Sequence, residues 1–295
     1  MRTHASLFWK ENGSSLYNNI TKNEPIKNAI ENKYEKVYTI LDKNFHVEFP
    51  EKTKARLLEL EVAYGIFKGG YMPNVLDKRK DEEGPDFILN IPEIKSRLCI
   101  ECVCATLGKN QLKNIDREMK EYREDNDYVK IGYDKGYESR FTSIIKDKAE
   151  KIRDYRKNRI ITDDDIVVLV VSSDFYGIKG EEYLGDHFEF EIAISQTKLV
   201  TYEVSYPNQF EVKREDADPL NILKNNKRIL GKGEDWENYK KDLNEFNVFI
   251  HCRDYIGLGS TNRFKIFHDK PLDEALNNIL EKIFVSNGMF SRIID

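Results

Sequence analysis

The spacing of apolar positions predicts a chain of mixed helices and strands. The first 48 residues carry Ile, Leu and Tyr at helical intervals and predict polar helices. Another helix is predicted over 54–67, KARLLELEVAYGIF, where apolar residues cover most of the circumference, so we expect this helix to be buried. Gly69 and Gly70 follow it and predict its end.

Two β-rich runs in the middle of the chain predict an antiparallel hairpin. The runs cover 86–91 and 96–104, and residues 92–95 connect them. An amphipathic helix is predicted over 140–159. The run DDDIVVLVVSS then predicts a short central strand, because apolar residues without alternation indicate burial on both faces of a sheet.

The pattern weakens after residue 175 and predicts an elaboration of the same domain. No shift in composition marks a boundary, so we expect a single domain over 1–295, with a helical extension at 1–48, a core at 54–173 and the elaboration at 174–295. The elements predicted in this last part are strands near 188–194, 199–204 and 247–252, a surface loop over 216–241 and a final helix over 272–284.

Composition restricts the class of protein. The net charge of −5 argues against a basic nucleic-acid coat protein, although an enzyme can confine positive charge to one cleft. No apolar run reaches the roughly 18 residues of a membrane span, so we expect no membrane partner and a cytoplasmic location. We interpret the four cysteines as small core residues in a reducing compartment, since they are too few for a disulfide scaffold: Cys99, Cys102, Cys104 and Cys252.

The predicted hairpin brings two acids together. If residues 92–95 form the connection, Ile91 faces Ser96. Counting five residues outward from that pair puts Asp86 opposite Glu101. Side chains paired in this way have Cβ atoms about 4.5–5.5 Å apart, so two carboxylates repel unless a proton or a cation lies between them. Carboxylate oxygens suit Mg²⁺ or Mn²⁺, and we therefore expect a divalent-metal site here.

This arrangement resembles the PD-(D/E)XK, or restriction endonuclease-like, nuclease superfamily. Pro85-Asp86 and Glu101 carry the resemblance, within an αβββαβ order of elements over about 54–173. The chain is also similar to uncharacterised bacterial proteins with a Pro-Asp-Phe and Glu-x-Val type of signature. The resemblance implies an α/β core with a central mixed β-sheet, Mg²⁺ or Mn²⁺ as cofactor, and hydrolysis of phosphodiester bonds in DNA or RNA.

One position departs from the family. Its members usually place a lysine two residues after the second acid, where this chain has Val103. Such a lysine orients the attacking water and stabilises charge in the transition state. Lys148 is a candidate replacement, and the alternative is that it snorkels along its helix to water. It lies within an apolar stripe spaced by three and four residues: Phe141, Ile145, Ile152 and Tyr155.

A third acid and two basic residues complete the predicted site. On the buried helix, Glu59 shares its sector with apolar residues, whereas Glu61 lies in line with two lysines. We therefore expect Glu59 to point inward and to add a metal ligand, directly or through water. The alternative role of Glu59 is a salt bridge with Arg56 or Arg140. Arg140 and Lys146 are candidate substrate-binding residues.

Two functions of different classes follow. The first is a divalent-metal-dependent nuclease acting on DNA or RNA, with Asp86, Glu101, Glu59 and Lys148 as catalytic residues. The alternative is a catalytically inactive nuclease-fold protein that binds nucleic acid or protein, which Val103 favours. A secreted effector acting on a host target is a third class compatible with the composition. Resemblance of fold alone does not establish chemistry.

Overall fold

The computed structural model describes residues 9, 13–74, 84–105, 135–173, 190, 193–194, 203–205, 209–211, 236–253, 264–268 and 272–285. They belong to two compact units. The first contains Met1–Cys104, Ile152–Gly177 and Phe246–Asp295, and the second contains Ala105–Lys151 and Ile178–Glu245. The single domain over 1–295 stays a prediction.

Helices and strands alternate along the chain in a mixed α/β fold, as the apolar pattern predicts. The elements in chain order are α1 (Ser15–Thr21), α2 (Glu24–Val37), α3 (Phe45–Glu48), α4 (Thr53–Lys68), β1 (Pro73–Asn74), β2 (Phe87–Asn90), β3 (Arg97–Ala105), α5 (Lys135–Lys157), β4 (Ile166–Ser173), β5 (Glu203–Ser205), β6 (Gln209–Glu211), α6 (Trp236–Leu243), β7 (Val248–Arg253), β8 (Phe264–Phe267), α7 (Glu274–Leu280) and a π-helical turn (Glu281–Val285). Among the described helices, none is long and apolar enough to cross a membrane.

The first unit is built on a six-stranded mixed sheet with the order β1-β2-β3-β4-β7-β8. β1, β2 and β3 pair antiparallel, β4 and β7 pair parallel, and β8 returns antiparallel to β7. Residues 167–171 of β4 are fully buried, which confirms the central strand predicted from its uninterrupted apolar run. The predicted hairpin and the C-terminal strand near 247–252 are confirmed as well.

The helices α1 to α4 and α7 pack in one apolar cluster with the sheet. Strand residues join this cluster in alternation: Phe87, Leu89, Leu98, Ile100, Cys102, Val168, Val170, Val248, Ile250 and Cys252. Because successive side chains of a strand point to opposite faces, the residues between them point to the other face. We call the face that carries the cluster the helical face and the other one the acidic face, because Asp86 and Glu101 lie on it.

α4 is the buried helix that the sequence predicts. Its buried residues cover most turns, and its end at Lys68 is followed by Gly69 and by Gly70. The φ of Gly70 is 82°, a left-handed conformation that glycine adopts without strain from a Cβ atom. The predicted end of this helix is therefore confirmed.

A buried ion pair joins α2 to α4. The Nζ atom of Lys33 donates to both carboxylate oxygens of Glu61, at 2.7 and 2.8 Å. Lys33 and Glu61 are only 9% and 1% exposed. Each charge is therefore compensated by the other and not by water, which makes the pair sensitive to the loss of one partner.

Replacing Glu61 with Gln should destabilise the protein by about 3–5 kcal/mol, because it removes the charge of the carboxylate to which the buried Lys33 ammonium donates two hydrogen bonds. Urea unfolding measures this change. The matched control is Glu24→Gln, which removes the exposed partner of Lys27 and should cost at most about 1 kcal/mol. Equal effects of the two substitutions would contradict the buried role of Glu61, and the double variant Lys33→Met with Glu61→Leu should be more stable than Glu61→Gln.

A second ion pair holds the beginning of β3 against the beginning of β4. Arg97 donates from Nε to Oδ1 of Asp165 at 2.8 Å and also to the carbonyl oxygen of Ile160. The backbone N–H of Thr162 donates to the same carboxylate at 2.6 Å. Burial by itself would raise the pKa of Asp165, but the hydrogen bonds from Arg97 and Thr162 outweigh it and lower that pKa.

Asp165 should therefore stabilise the protein at neutral pH and stop doing so in acid. A carboxyl group with a lowered pKa in the folded state contributes stability above its unfolded pKa of about 3.9, and this stability disappears as the pH falls through the folded pKa. Asp165→Asn should unfold more easily than wild type at pH 7, and the difference should shrink below about pH 4. Urea unfolding at several pH values measures it, and a difference that is independent of pH would contradict the role of the charge.

The second unit contains most of α5, the antiparallel pair β5–β6 and the helix α6. The prediction of a strand near 188–194 is wrong for its described residues, since Phe190, Ala193 and Ile194 are helical and buried. Their spacing of three and four residues is that of positions on one side of a helix. The Tyr239 hydroxyl donates to the carbonyl oxygen of Ala193 at 2.8 Å.

Other predictions in the C-terminal part have mixed outcomes. α6 covers Trp236–Leu243, so the surface loop predicted over 216–241 is wrong for 236–241, and the rest of that loop falls outside the described residues. Only 203–204 of the strand predicted near 199–204 is described, and these two residues belong to β5. The final helix predicted over 272–284 is confirmed as α7 and the π-helical turn after it.

Candidate functional site

The register of the β2–β3 hairpin agrees with the sequence-based one. Phe87 pairs with Ile100, and the register runs on to Asn90 opposite Arg97. Continuing it one residue beyond Phe87 brings Asp86 opposite Glu101. Paired positions of this kind have Cβ atoms about 4.5–5.5 Å apart, so the two carboxylates belong to one local cluster.

Asp86 is held by the backbone of the neighbouring strand. The N–H of Cys102 donates to Oδ2 of Asp86 at 2.7 Å. β3 extends past the end of β2, so a side-chain oxygen takes the place that a strand carbonyl would occupy in a longer ladder. A hydrogen bond from a backbone amide to an ionised carboxylate is a strong one, and it fixes the direction of this acid.

The two acids differ in their access to water. Glu101 is 3% exposed, whereas Asp86 is half-buried. Their neighbours on the acidic face are apolar, since Ile88 and Cys99 pair directly beside them and are buried. Two carboxylates in such surroundings repel one another, and a shared proton or a cation relieves the repulsion.

Glu59 does not join this pair. α4 packs on the helical face of the sheet, and Glu59 forms a salt bridge with Arg56, which also binds Glu48. Among the described residues, no group of three His, Cys, Asp or Glu side chains is placed to hold a metal ion. The salt bridge considered as the alternative role of Glu59 is thus present.

The sequence-based choice between the two acids of α4 is wrong about burial. Glu61 is the buried acid, at 1% exposure, while the side chain of Glu59 is 15% exposed. The lysines in line with Glu61 on its own helix suggested a solvated face. The partner that compensates its charge, Lys33, comes from α2 and could not be read from the sequence of α4.

Val103 occupies the position of the family lysine. It is half-buried, and its separation of two residues from Glu101 puts it on the acidic face. No positive charge comes from this position of the strand.

Lys148, Lys146 and Arg140 lie on the part of α5 that belongs to the second unit. The apolar residues of the stripe around Lys148 are buried, as predicted, and Lys148 and Lys146 are half-buried. The side chain of Arg140 lies outside the described residues. The catalytic role of Lys148 and the substrate-binding roles of Lys146 and Arg140 stay predictions.

The cysteines are core thiols, as the composition predicts. Cys99, Cys102 and Cys252 are buried and Cys104 is half-buried, and all four are reduced. Burial, together with the nearby charge of Asp165, raises the pKa of Cys99 to about 12. Because the thiolate is the reactive form, this raised pKa favours the less reactive thiol form of Cys99.

Sequence reasoning missed one buried polar residue on the acidic face. His251 is fully buried on β7, and it alternates with the core residues Ile250 and Cys252. The five histidines are scattered along the sequence and show no metal-ligand spacing. The signal that could have marked His251 is its place in the apolar run of a predicted strand, since a polar residue there must be buried on one face or the other.

Comparison with models of protein families, with curated proteins and with solved structures gives no match for this chain.

Proposed function

We propose that this protein is a divalent-metal-dependent nuclease in which Asp86 and Glu101 hold the metal ion. The observation that carries the proposal is the register of β2 and β3, which continues to Asp86 opposite Glu101. The order of elements also supports it, since α4, β1, β2, β3, α5 and β4 follow one another as αβββαβ and β4 lies beside β3. This is the order of the restriction endonuclease-like core, and most of α5 belongs to the second unit.

The donor atoms suit Mg²⁺ or Mn²⁺. Carboxylate oxygens are hard ligands, and a buried carboxylate such as Glu101 needs a compensating charge. When bound, such an ion lowers the pKa of a coordinated water and neutralises charge on a phosphate. Asp86 and Glu101 would bind the ion, the Cys102 amide would orient Asp86, and the apolar neighbours would exclude water from that side.

The alternative function is a nuclease-fold protein without hydrolytic activity that binds nucleic acid or protein. Two observations favour it. Glu59 is engaged with Arg56 on the other face of the sheet, and a valine stands at position 103. Lys148 stays the predicted source of the missing ammonium group, and only an active enzyme requires one.

Calorimetric titration of Mn²⁺ should show saturable binding to the wild-type protein and none to Asp86→Asn or Glu101→Gln. Each substitution keeps the shape of the side chain and removes the negative charge that attracts the cation. The matched control is Glu93→Gln, which removes an exposed acid from the hairpin connection and should bind Mn²⁺ like wild type. The same proteins are then assayed for cleavage of mixed DNA and RNA.

Three outcomes separate the hypotheses. Metal binding and metal-dependent cleavage that are lost together in Asp86→Asn support the nuclease. Binding without cleavage favours the inactive binding protein. The absence of saturable binding in wild type means that Asp86 and Glu101 are structural, and the nuclease proposal then fails.

Val103→Lys should raise the rate of metal-dependent cleavage by at least about 10-fold, because it puts an ammonium group beside Glu101 where transition-state charge develops. Val103→Leu is the control, since it adds volume at the same half-buried position without charge. Single-turnover cleavage at saturating Mn²⁺ separates the chemical step from metal binding. An equal rate in both variants would show that position 103 does not face the reacting phosphate.

A further inference from the structure

The last turns of α2 and α4 form a surface that combines aromatic rings with ammonium groups. The Nζ atoms of Lys33 and Lys36 lie 5.4 and 5.5 Å from the centre of the Tyr64 ring. The ring of Phe67 stacks on Tyr64, with ring centres 6.3 Å apart and planes 29° apart. Lys68 follows Tyr64 by four residues and so lies on the same side of α4. We call Lys36, Tyr64, Phe67 and Lys68 the Tyr64 patch.

The Tyr64 patch presents positive charge and an aromatic surface to solvent. Phe67 is 41% exposed, and Lys36 and Lys68 are exposed as well. Glu61, the acid one turn before Tyr64, is buried and bound to Lys33, so the charges of these two residues compensate each other. The charge that remains at the surface of the patch is that of Lys36 and Lys68.

We propose that the Tyr64 patch binds single-stranded nucleic acid. A base can stack on an exposed aromatic ring, and ammonium groups close to the ring can bind the phosphates on either side of that base. A lysine in the last turn also stabilises its helix, and one exposed aromatic residue is common on protein surfaces. The Tyr64 patch combines a stacked ring pair with exposed lysines from two helices. The rings suit the bases of a single-stranded nucleic acid, and the lysines suit its phosphates.

This surface is separate from the pair of acids. α4 packs on the helical face of the sheet, whereas Asp86 and Glu101 lie on the acidic face. The proposal therefore does not rest on the nuclease activity, and an inactive protein would use the patch in the same way.

Fluorescence anisotropy tests the proposal with labelled oligothymidylate and oligouridylate of about 20 nucleotides, titrated between about 50 and 200 mM salt. Phe67→Ala should weaken binding by about 10-fold through loss of stacking, while Phe67→Tyr keeps a ring and should bind like wild type. Lys36→Gln should reduce the slope of log affinity against log salt by about 0.7, the contribution of one phosphate contact on a single strand. The oligonucleotide that binds with the higher affinity shows whether the patch prefers DNA or RNA.

Two controls make the result specific to the patch. Tyr38→Ala removes an aromatic ring of similar exposure, 39%, that pairs with Tyr34 and lies outside the patch as defined, and it should leave the affinity unchanged. All titrations are made in EDTA, where no divalent metal ion can occupy the pair of acids, so binding through the Tyr64 patch is measured separately from the nuclease. Thermal unfolding of each variant verifies the fold.

Equal losses of oligonucleotide affinity in Phe67→Ala and Tyr38→Ala would overturn the proposal, because binding would then not depend on the Tyr64 patch. A loss in Phe67→Ala with an unchanged salt slope in both Lys36→Gln and Lys68→Gln would overturn it too, since the patch would then contact an apolar partner and not a phosphate backbone. Binding that depends on Phe67 and on the two lysines, with Tyr38→Ala intact, supports it.

Discussion

The register of β2 against β3 is the constraint on which the candidate site depends. A slip of one residue would turn every side chain of one strand to the other face. Phe87 and Leu89 would then leave the apolar cluster, and Asp86 would turn toward it. The cost of burying a carboxylate among apolar side chains and exposing two large apolar ones rules out that alternative. The same packing that stabilises the sheet therefore holds Asp86 beside Glu101.

The sequence predicts those features whose cause is local. The hairpin follows from two short apolar runs and a connection of four residues, and α4 follows from its apolar circumference and the two glycines after it. The burial of Glu61 has a different cause, since Lys33 lies 28 residues away on another helix. Helical periodicity identifies the neighbours of a residue on its own helix, but it does not identify a charged residue that a second helix brings beside it. The strand predicted near 188–194 is helical at its described residues, where Phe190, Ala193 and Ile194 are buried at a helical spacing.

The sheet separates two kinds of surface. Helices cover one face with aromatic and aliphatic side chains, and the charges within that layer are compensated by ion pairs such as Lys33 with Glu61. On the other face, β2 and β3 bring two carboxylates into one cluster, and β7 adds the buried His251. Polar groups buried in a sheet cost free energy unless they have partners. The net charge of −5 for the whole chain does not predict the local charge on either face of the sheet, because charged residues are not distributed uniformly among the helices and strands.

The thiols of the sheet also make its motions measurable. Cys102 and Cys252 lie in the apolar cluster, and Cys99 lies on the opposite face, so β3 carries a buried sulfur atom on each of its two sides. A reagent in solution reaches such an atom only when the strands part, whereas the half-buried Cys104 needs a smaller opening. The order in which the four sulfur atoms become modified would thus report which edge of the sheet opens first and how often. The protein carries these reporters without any substitution.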